Sequence, residues 1–214
     1  MEKRLKYILV ELARHLPYSI FGISLGIIAL GILTFFAILI GSQERMPQAS
    51  ETLFHVFHPI HILFSAVATT AMFWKHEKRL LKAIVVGFAG SVGICSLSDI
   101  FFPFVGGTLL GAPIRLHICL IETPGLILPF AMTGILAGLV ANQSFEHSFE
   151  YSHAAHVFIS SMASILYLTG FSAIDWIHSL GQVSIITIVA VMIPCCTSDI
   201  VFPLACVHRR CDHD

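Results

Sequence analysis

Two short motifs place ligand-type side chains inside long apolar runs, and each motif occurs twice. His58-Pro59-Ile60-His61 is followed by Ser65, and His153-Ala154-Ala155-His156 by Ser160, so both spell H-x-x-H-x-x-x-S. Cys95 to Pro103 and Cys195 to Pro203 both spell C-x-x-S-D-I-x-F-P, around Asp99 and Asp199. Histidines three residues apart share one helix face. Two imidazole nitrogens and a carboxylate from a neighbouring helix form a reasonable ligand set for a transition metal. Cys95 and Cys195 precede their Asp by four residues, on the same face, where a thiolate could join or replace a ligand. Glu122 adds a carboxylate, and His55 and His117 lie near the mouth of the same set.

The candidate ligands are therefore His58, His61, Cys95, Asp99 and Glu122 in the first part of the chain, and His153, His156, Cys195 and Asp199 in the second. Histidine with carboxylate does not select sharply among Zn²⁺, Fe²⁺, Mn²⁺, Co²⁺ and Ni²⁺. An intramembrane Asp costs several kcal/mol unless it is paired or hydrated, so two in repeated contexts are expected to carry function. The structural alternative is that each Asp hydrogen-bonds a His of its own half and locks helices together. Ser65, Ser98, Ser160 and Ser198 are expected to satisfy helix backbone or to bond across helices.

The elements that hold these residues follow from composition. Of 214 residues 56% are apolar and 12% charged, with a mean hydropathy of +0.85, where a soluble domain carries roughly 25% charged residues. An all-α integral membrane protein is expected. The net charge of −1 gives no reason for a nucleic-acid partner. The 12 histidines equal Lys and Arg combined, and the six cysteines form no secreted disulfide framework. Apolar stretches of bilayer-spanning length cover residues 17–40, 54–74, 80–104, 117–141, 153–171 and 181–205. They are continuous runs, unlike the short alternating segments of a barrel.

Lys3, Arg4, Lys6, Arg14, Lys75, Lys78, Arg79, Lys82, Arg209 and Arg210 fall on one side of that arrangement, and only Arg45 and Arg115 on the other. The positive-inside rule then predicts a multi-pass protein of the cell membrane with both termini cytoplasmic. The N-terminus does not have the form of a cleavable signal peptide. Residues 1–16 are expected to form an interfacial amphipathic helix, with Leu5, Ile8, Leu9, Leu12 and Leu16 on its apolar face, or else a plain extension of the first span. Residues 206–214 form a tail with Cys206, His208, Cys211, Asp212, His213 and Asp214, which could capture metal or be a disordered tail.

Matching motifs in the same order predict duplication of a three-helix unit, over residues 17–104 and 117–205. Three spans are an odd number, so the second unit would enter the membrane inverted. Inverted repeats are a frequent architecture of secondary transporters, which is an analogy at the level of the fold. Counted from the ends of the apolar stretches, His61 lies on the order of 10 Å below Phe54 and Asp99 about 8 Å short of Phe104. One polar cluster is thus expected to face each side, outer around His58, His61 and Asp99, inner around His153, His156 and Asp199. Glu122 has no acidic counterpart near Ser24 and Gly26, which marks it for proton coupling or for the primary site. Gly22 with Gly26, Gly87 with Gly90 and Gly134 with Gly138 are expected to let helices approach closely.

The expected function is a secondary transporter of a divalent transition-metal cation working by alternating access, with the lipid bilayer as solvent, protons as a candidate coupling ion and a homo-oligomer compatible with the sequence. Two alternatives differ in class. A membrane redox subunit would hold haem between histidines; a metal-dependent intramembrane hydrolase would use one cluster to activate water. Because histidine must be neutral to bind metal, the transport reading predicts metal flux that weakens as pH falls below about 6, measurable in reconstituted vesicles; flux indifferent to pH would count against it.

Overall fold

The computed structural model describes residues 2–141, 149–172, 174–196, 202 and 206, with side-chain surroundings for these except 2–12, 14, 15, 18, 19, 149–154, 195 and 196. Among the described residues the chain is helical, with no strand. The helices are α1 (Glu2–Leu39), α2 (Met46–His76), α3 (Leu80–Phe88), α4 (Phe102–Leu109), α5 (Cys119–Glu122), α6 (Pro124–Val140), α7 (Phe149–Gly170) and α8 (Leu180–Cys196). Two π-helical segments, Ala89–Ile94 and Leu97–Phe101, carry α3 into α4. Helical residues 20–39, 43–76 and 80–109 are long and apolar enough to cross a membrane, whereas α6, α8 and the described apolar part of α7 are shorter.

The distribution of polarity shows which solvent this chain is built for. Phe21, Leu25, Ile28, Ile32, Phe35 and Leu39 are exposed along α1, and Leu128, Met132, Leu136 and Val140 recur every four residues on α6. Inside lie His58, His61, Thr69, Ser91, Asp99, His156, Ser160 and Ser164, all buried. A monomer in water rarely leaves so wide an apolar surface bare. In hydrocarbon the arrangement is the favourable one. Helical Ser and Thr satisfy themselves locally, as Ser91 does on the Gly87 carbonyl at 2.7 Å and Thr187 on that of Val183 at 2.8 Å.

Several boundaries differ from expectation. Residues 2–16 do not form a separate helix: they run without a break into α1, through Pro17. The apolar face expected for them lies outside the described side chains. The fourth apolar stretch is not helical at its start, because Ile118 is extended and Thr123 separates α5 from α6. Pro124 opens α6, where its missing N–H costs no helix bond. In the second stretch, helix begins at Met46, eight residues before Phe54. His61 therefore stands at the middle of α2, fifteen residues from either end (46 to 61 and 61 to 76). Beyond Cys196 only Phe202 and Cys206 are described, both packed against the buried Phe73, Ala83 and Val86; Asp199 and the rest of the Cys/His tail lie outside the described residues. In the linker before α8, His178 bonds Asp175 at 2.7 Å and so holds that exposed carboxyl below its usual range.

The helices interlock. α1 packs on α7 and α8, α6 packs on α2 and α3, and α2 packs directly on α7. Glycines set the first two contacts. A Cβ on Gly134 would lie 2.5 Å from the Leu63 carbonyl oxygen, and one on Gly138 2.7 Å from that of Val67; Gly22 abuts Phe158 and Gly26 abuts Met162. Leu63 and Phe158 both follow the first His of their motif by five residues, and Val67 and Met162 both by nine. The two glycine pairs thus seat at the same register, and each is preceded by proline at the same interval: Pro17 and Pro129 both open P-x-x-x-x-G-I-x-x-G. On this alignment Glu122 corresponds to Val10, not to the stretch near Ser24.

Gly134→Ala should therefore lower stability in detergent by about 1–3 kcal/mol, the range for overpacking, whereas Gly31→Ala, with nothing within 4 Å of its added Cβ, should change it by no more than about 1 kcal/mol. Thermal unfolding of the two variants provides the comparison.

Candidate functional site

The motifs of α2 and of the π-helical turn converge on one carboxylate. Asp99 is fully buried. Its Oδ2 accepts from His58 Nδ1 at 2.8 Å and from His61 Nδ1 at 2.7 Å. Its Oδ1 accepts from the Ser98 hydroxyl at 2.7 Å and from that of Ser160, on α7, at 3.2 Å. Four donors on one carboxylate are what a buried anion requires, since an unpaired carboxylate in an apolar medium would take up a proton or unfold the site. Ser164, one turn beyond Ser160, donates to the Ser98 carbonyl at 3.0 Å and ties α7 to the same turn. Widening to π geometry is frequent where a helix serves a site, and here it occurs at the residues that present Asp99.

These bonds fix the proton positions on the imidazoles. A carboxylate only accepts, so His58 and His61 each carry hydrogen on Nδ1 and, when neutral, a lone pair on Nε2. His61 Nε2 lies 2.7 Å from Nε2 of His156, with the two ring centroids 4.7 Å apart. Cys95 Sγ is 3.7 Å from the same His61 nitrogen. Cys95 and Asp99 thus flank opposite nitrogens of one ring, as their four-residue spacing predicts. The resulting line, His156 to His61 to Asp99, is buried throughout. A neutral His61 can accept a proton from His156 and pass one toward Asp99. It can equally offer Nε2 to a metal, with Asp99 behind it orienting the ring and raising its basicity.

The expected division into two clusters on opposite sides changes here. His156 meets His61 directly, because His61 is central in α2 and α2 packs on α7. Glu122 does not join the Asp99 group either. Its side chain is 45% exposed, and its Oε2 lies 2.8 Å from His117 Nδ1. Glu122 is drawn away because Thr123 breaks the helix and turns α5 toward His117. His153, Cys195 and Asp199 fall outside the described side chains, so of the second motif set His156 and Ser160 are seen at the site.

His55 and His117, expected only near the mouth, meet directly. Their Nε2 atoms are 3.0 Å apart, and one ligand atom from each of His55, His117 and Cys119 lies within 4.8 Å of the others. The available signal was the continuation of the ligand spacing one turn earlier, His55-x-x-His58-x-x-His61. Comparisons with protein-family models, with curated proteins and with solved structures return no match to this chain.

Removing one partner of the buried cluster should be costly. Asp99→Ala removes the acceptor of two ring N–H groups and of the Ser160 hydroxyl, while Ser98 keeps the Cys95 carbonyl at 2.9 Å, and should destabilise the protein by about 3–5 kcal/mol, with Asp99→Asn losing less. A double-mutant cycle on His61 and His156 should give a coupling of about 0.5–3 kcal/mol; additive losses would mean that the two rings do not interact.

Proposed function

We propose that this protein is a secondary transporter of a divalent transition-metal cation, and that the ion passes through the nitrogens of His61 and His156. The observation that carries this reading is the pairing of those two residues, Nε2 to Nε2 at 2.7 Å, inside a chain whose exterior is apolar. They occupy the same position in the two copies of the H-x-x-H motif. A pair of this kind lies where a two-fold axis relating the copies would pass. The reciprocal packing of α1 on α7 and α8, and of α6 on α2 and α3, supports six spans arranged as two inverted three-helix repeats.

In this reading His61 and His156 are each contributed by one repeat, so rocking of the repeats opens the pair toward one side or the other. Asp99 supplies the negative charge that a dication needs in a low-dielectric interior. His58 holds Asp99 in place, and Cys95 offers a sulfur beside the pair. His153, Asp199 and Cys195 would supply the same functions in the second repeat. Protons compete for the same nitrogens, which makes them the natural coupling ion. The bilayer is the cell membrane with both termini cytoplasmic, Zn²⁺, Fe²⁺, Mn²⁺, Co²⁺ and Ni²⁺ are the candidate substrates, and association into a homo-oligomer is compatible with the exposed faces of α1 and α6.

The direct contact of the rings favours a small cation over the haem alternative, which would require a macrocycle between two histidines. Flux of Zn²⁺ into proteoliposomes tests the proposal. Wild type and Gly31→Ala should transport, while His61→Ala and Asp99→Ala should lose at least an order of magnitude in rate, the scale on which metal-ligand supports act. Bound metal without flux in wild type would instead point to the hydrolase, and a Soret band to haem.

A further inference from the structure

A second cluster stands nearly two turns up α2 from the central pair, where the irregular segment before α5 folds over it. Its backbone is held firmly. Tyr167 accepts from the His117 N–H at 3.0 Å and donates to the Arg115 carbonyl at 3.0 Å. The Arg115 N–H reaches the Phe171 carbonyl at 2.9 Å. The His117 ring stacks on Phe171, with centroids 4.8 Å apart and planes 15° from parallel. His117 and Cys119 are buried and His55 is half-buried.

Proton placement shows what the cluster lacks. His55 Nδ1 lies 2.8 Å from the Glu51 carbonyl oxygen, which only accepts, so the hydrogen of a neutral His55 is on Nδ1 and its Nε2 is a lone pair. His117 Nδ1 faces the Glu122 carboxylate at 2.8 Å. Nδ1 makes no aligned hydrogen bond there. With hydrogen on His117 Nδ1, beside the carboxylate, two Nε2 lone pairs face each other at 3.0 Å; with hydrogen on Nε2, that N–H donates to His55 and the Nδ1 lone pair faces the carboxylate, so either neutral form leaves a repulsive contact. A cation between them removes the conflict.

A shared proton would satisfy two nitrogens and leave Cys119 idle. Three ligand atoms within 4.8 Å of one another suit a metal. In a tetrahedral zinc site with Zn–N bonds of about 2.0–2.1 Å, ligand nitrogens stand about 3.3 Å apart, so the rings need to separate by only a few tenths of an ångström. We propose that His55, His117 and Cys119 form a binding site for a thiophilic transition-metal ion of the Zn²⁺ class, with Glu122 as the carboxylate behind His117.

Three protein ligands leave a fourth position open, the mark of a site that exchanges its ligand or ion. Glu122 is itself anchored, because its Oε1 accepts from the Ile118 N–H at 3.2 Å. A thiolate with two neutral imidazoles and the nearby carboxylate balances a dication. The thiolate also narrows the substrate class, since sulfur discriminates against Mg²⁺ and Mn²⁺. His55, His58 and His61 follow one another at single-turn spacing on α2, which makes this the loading site for the central pair. That last role rests on the transport reading; the metal site does not.

Co²⁺ titration of the full-length protein in detergent tests the site. Bound Co²⁺ should show a thiolate-to-metal charge-transfer band in the near ultraviolet, displaced by Zn²⁺ and not by excess Mg²⁺. The band should vanish in Cys119→Ser and persist in Cys95→Ser. Glu122→Gln, at an exposed side chain that does not threaten folding, should keep the band while weakening affinity ten- to a hundredfold. Absence of the band from wild type, its survival in Cys119→Ser or its loss in Cys95→Ser would overturn the site. Flux is read separately: His61→Ala with the band intact and transport lost leaves the metal site standing, whereas wild type with the band and no flux removes transport alone.

Discussion

An ionised carboxylate held in an apolar medium is the constraint on which this structure turns. Asp99 has no water to fall back on, so every lone pair must be met by the protein. Two imidazoles from α2 and two hydroxyls meet them, one hydroxyl from the neighbouring Ser98 and one from Ser160 on α7. Because the donors come from three stretches of chain, the carboxylate can be satisfied only when α2, the π-helical turn and α7 are all in place. The same requirement fixes the tautomers of His58 and His61, and the tautomers leave Nε2 of His61 pointing at His156. The free nitrogen lone pair that His61 presents to His156 is thus a by-product of making an anion tolerable.

Close helix approach is the second condition. Ser160 can reach Asp99 only if α7 lies against the π-helical turn, and small residues permit that. Gly134 and Gly138 bring α6 onto α2 at backbone distance; Gly22 does the same for α1 on α7, and Gly26 meets the side chains of Met162 and Ile165. Each outer helix therefore clamps an inner helix from the other part of the chain. Ring contacts extend the clamp: Phe54 lies parallel to His58 at 5.1 Å and edge-on to Tyr167 at 5.3 Å, and Tyr167 holds the segment that carries His117. Central pair and upper cluster are parts of one packed polar interior inside an apolar coat.

Much of this was legible in the residues. The apolar runs and scarce charge require helices in lipid, and repeated His, Ser, Cys and Asp at fixed spacing single out His58, His61, Cys95, Asp99 and His156. The glycine pairs were visible as well. A third repeated pattern, P-x-x-x-x-G-I-x-x-G, was equally present in the letters, but proline and glycine are common in membrane helices and drew attention only when their contacts matched. Glu122 was the misplaced residue. The apolar stretch 117–141 reads as one continuous helix, and the break at Thr123 sends Glu122 to His117 instead.

The sequence by itself determined the solvent, the helices and which side chains share a face, because these follow from hydropathy, from charge and from a period of 3.6 residues. Tertiary structure decided which faces meet. Depth counted from the end of an apolar stretch put His61 near one surface and His156 near the other. In the folded chain, helix starts eight residues earlier, at Met46, and its midpoint is His61. Hydropathy could not show that start, since Gln48, Ser50, Glu51 and Thr52 precede the apolar run while the backbone is already helical through them. Only the packing of α2 on α7 shows that two histidines 95 residues apart share one hydrogen bond.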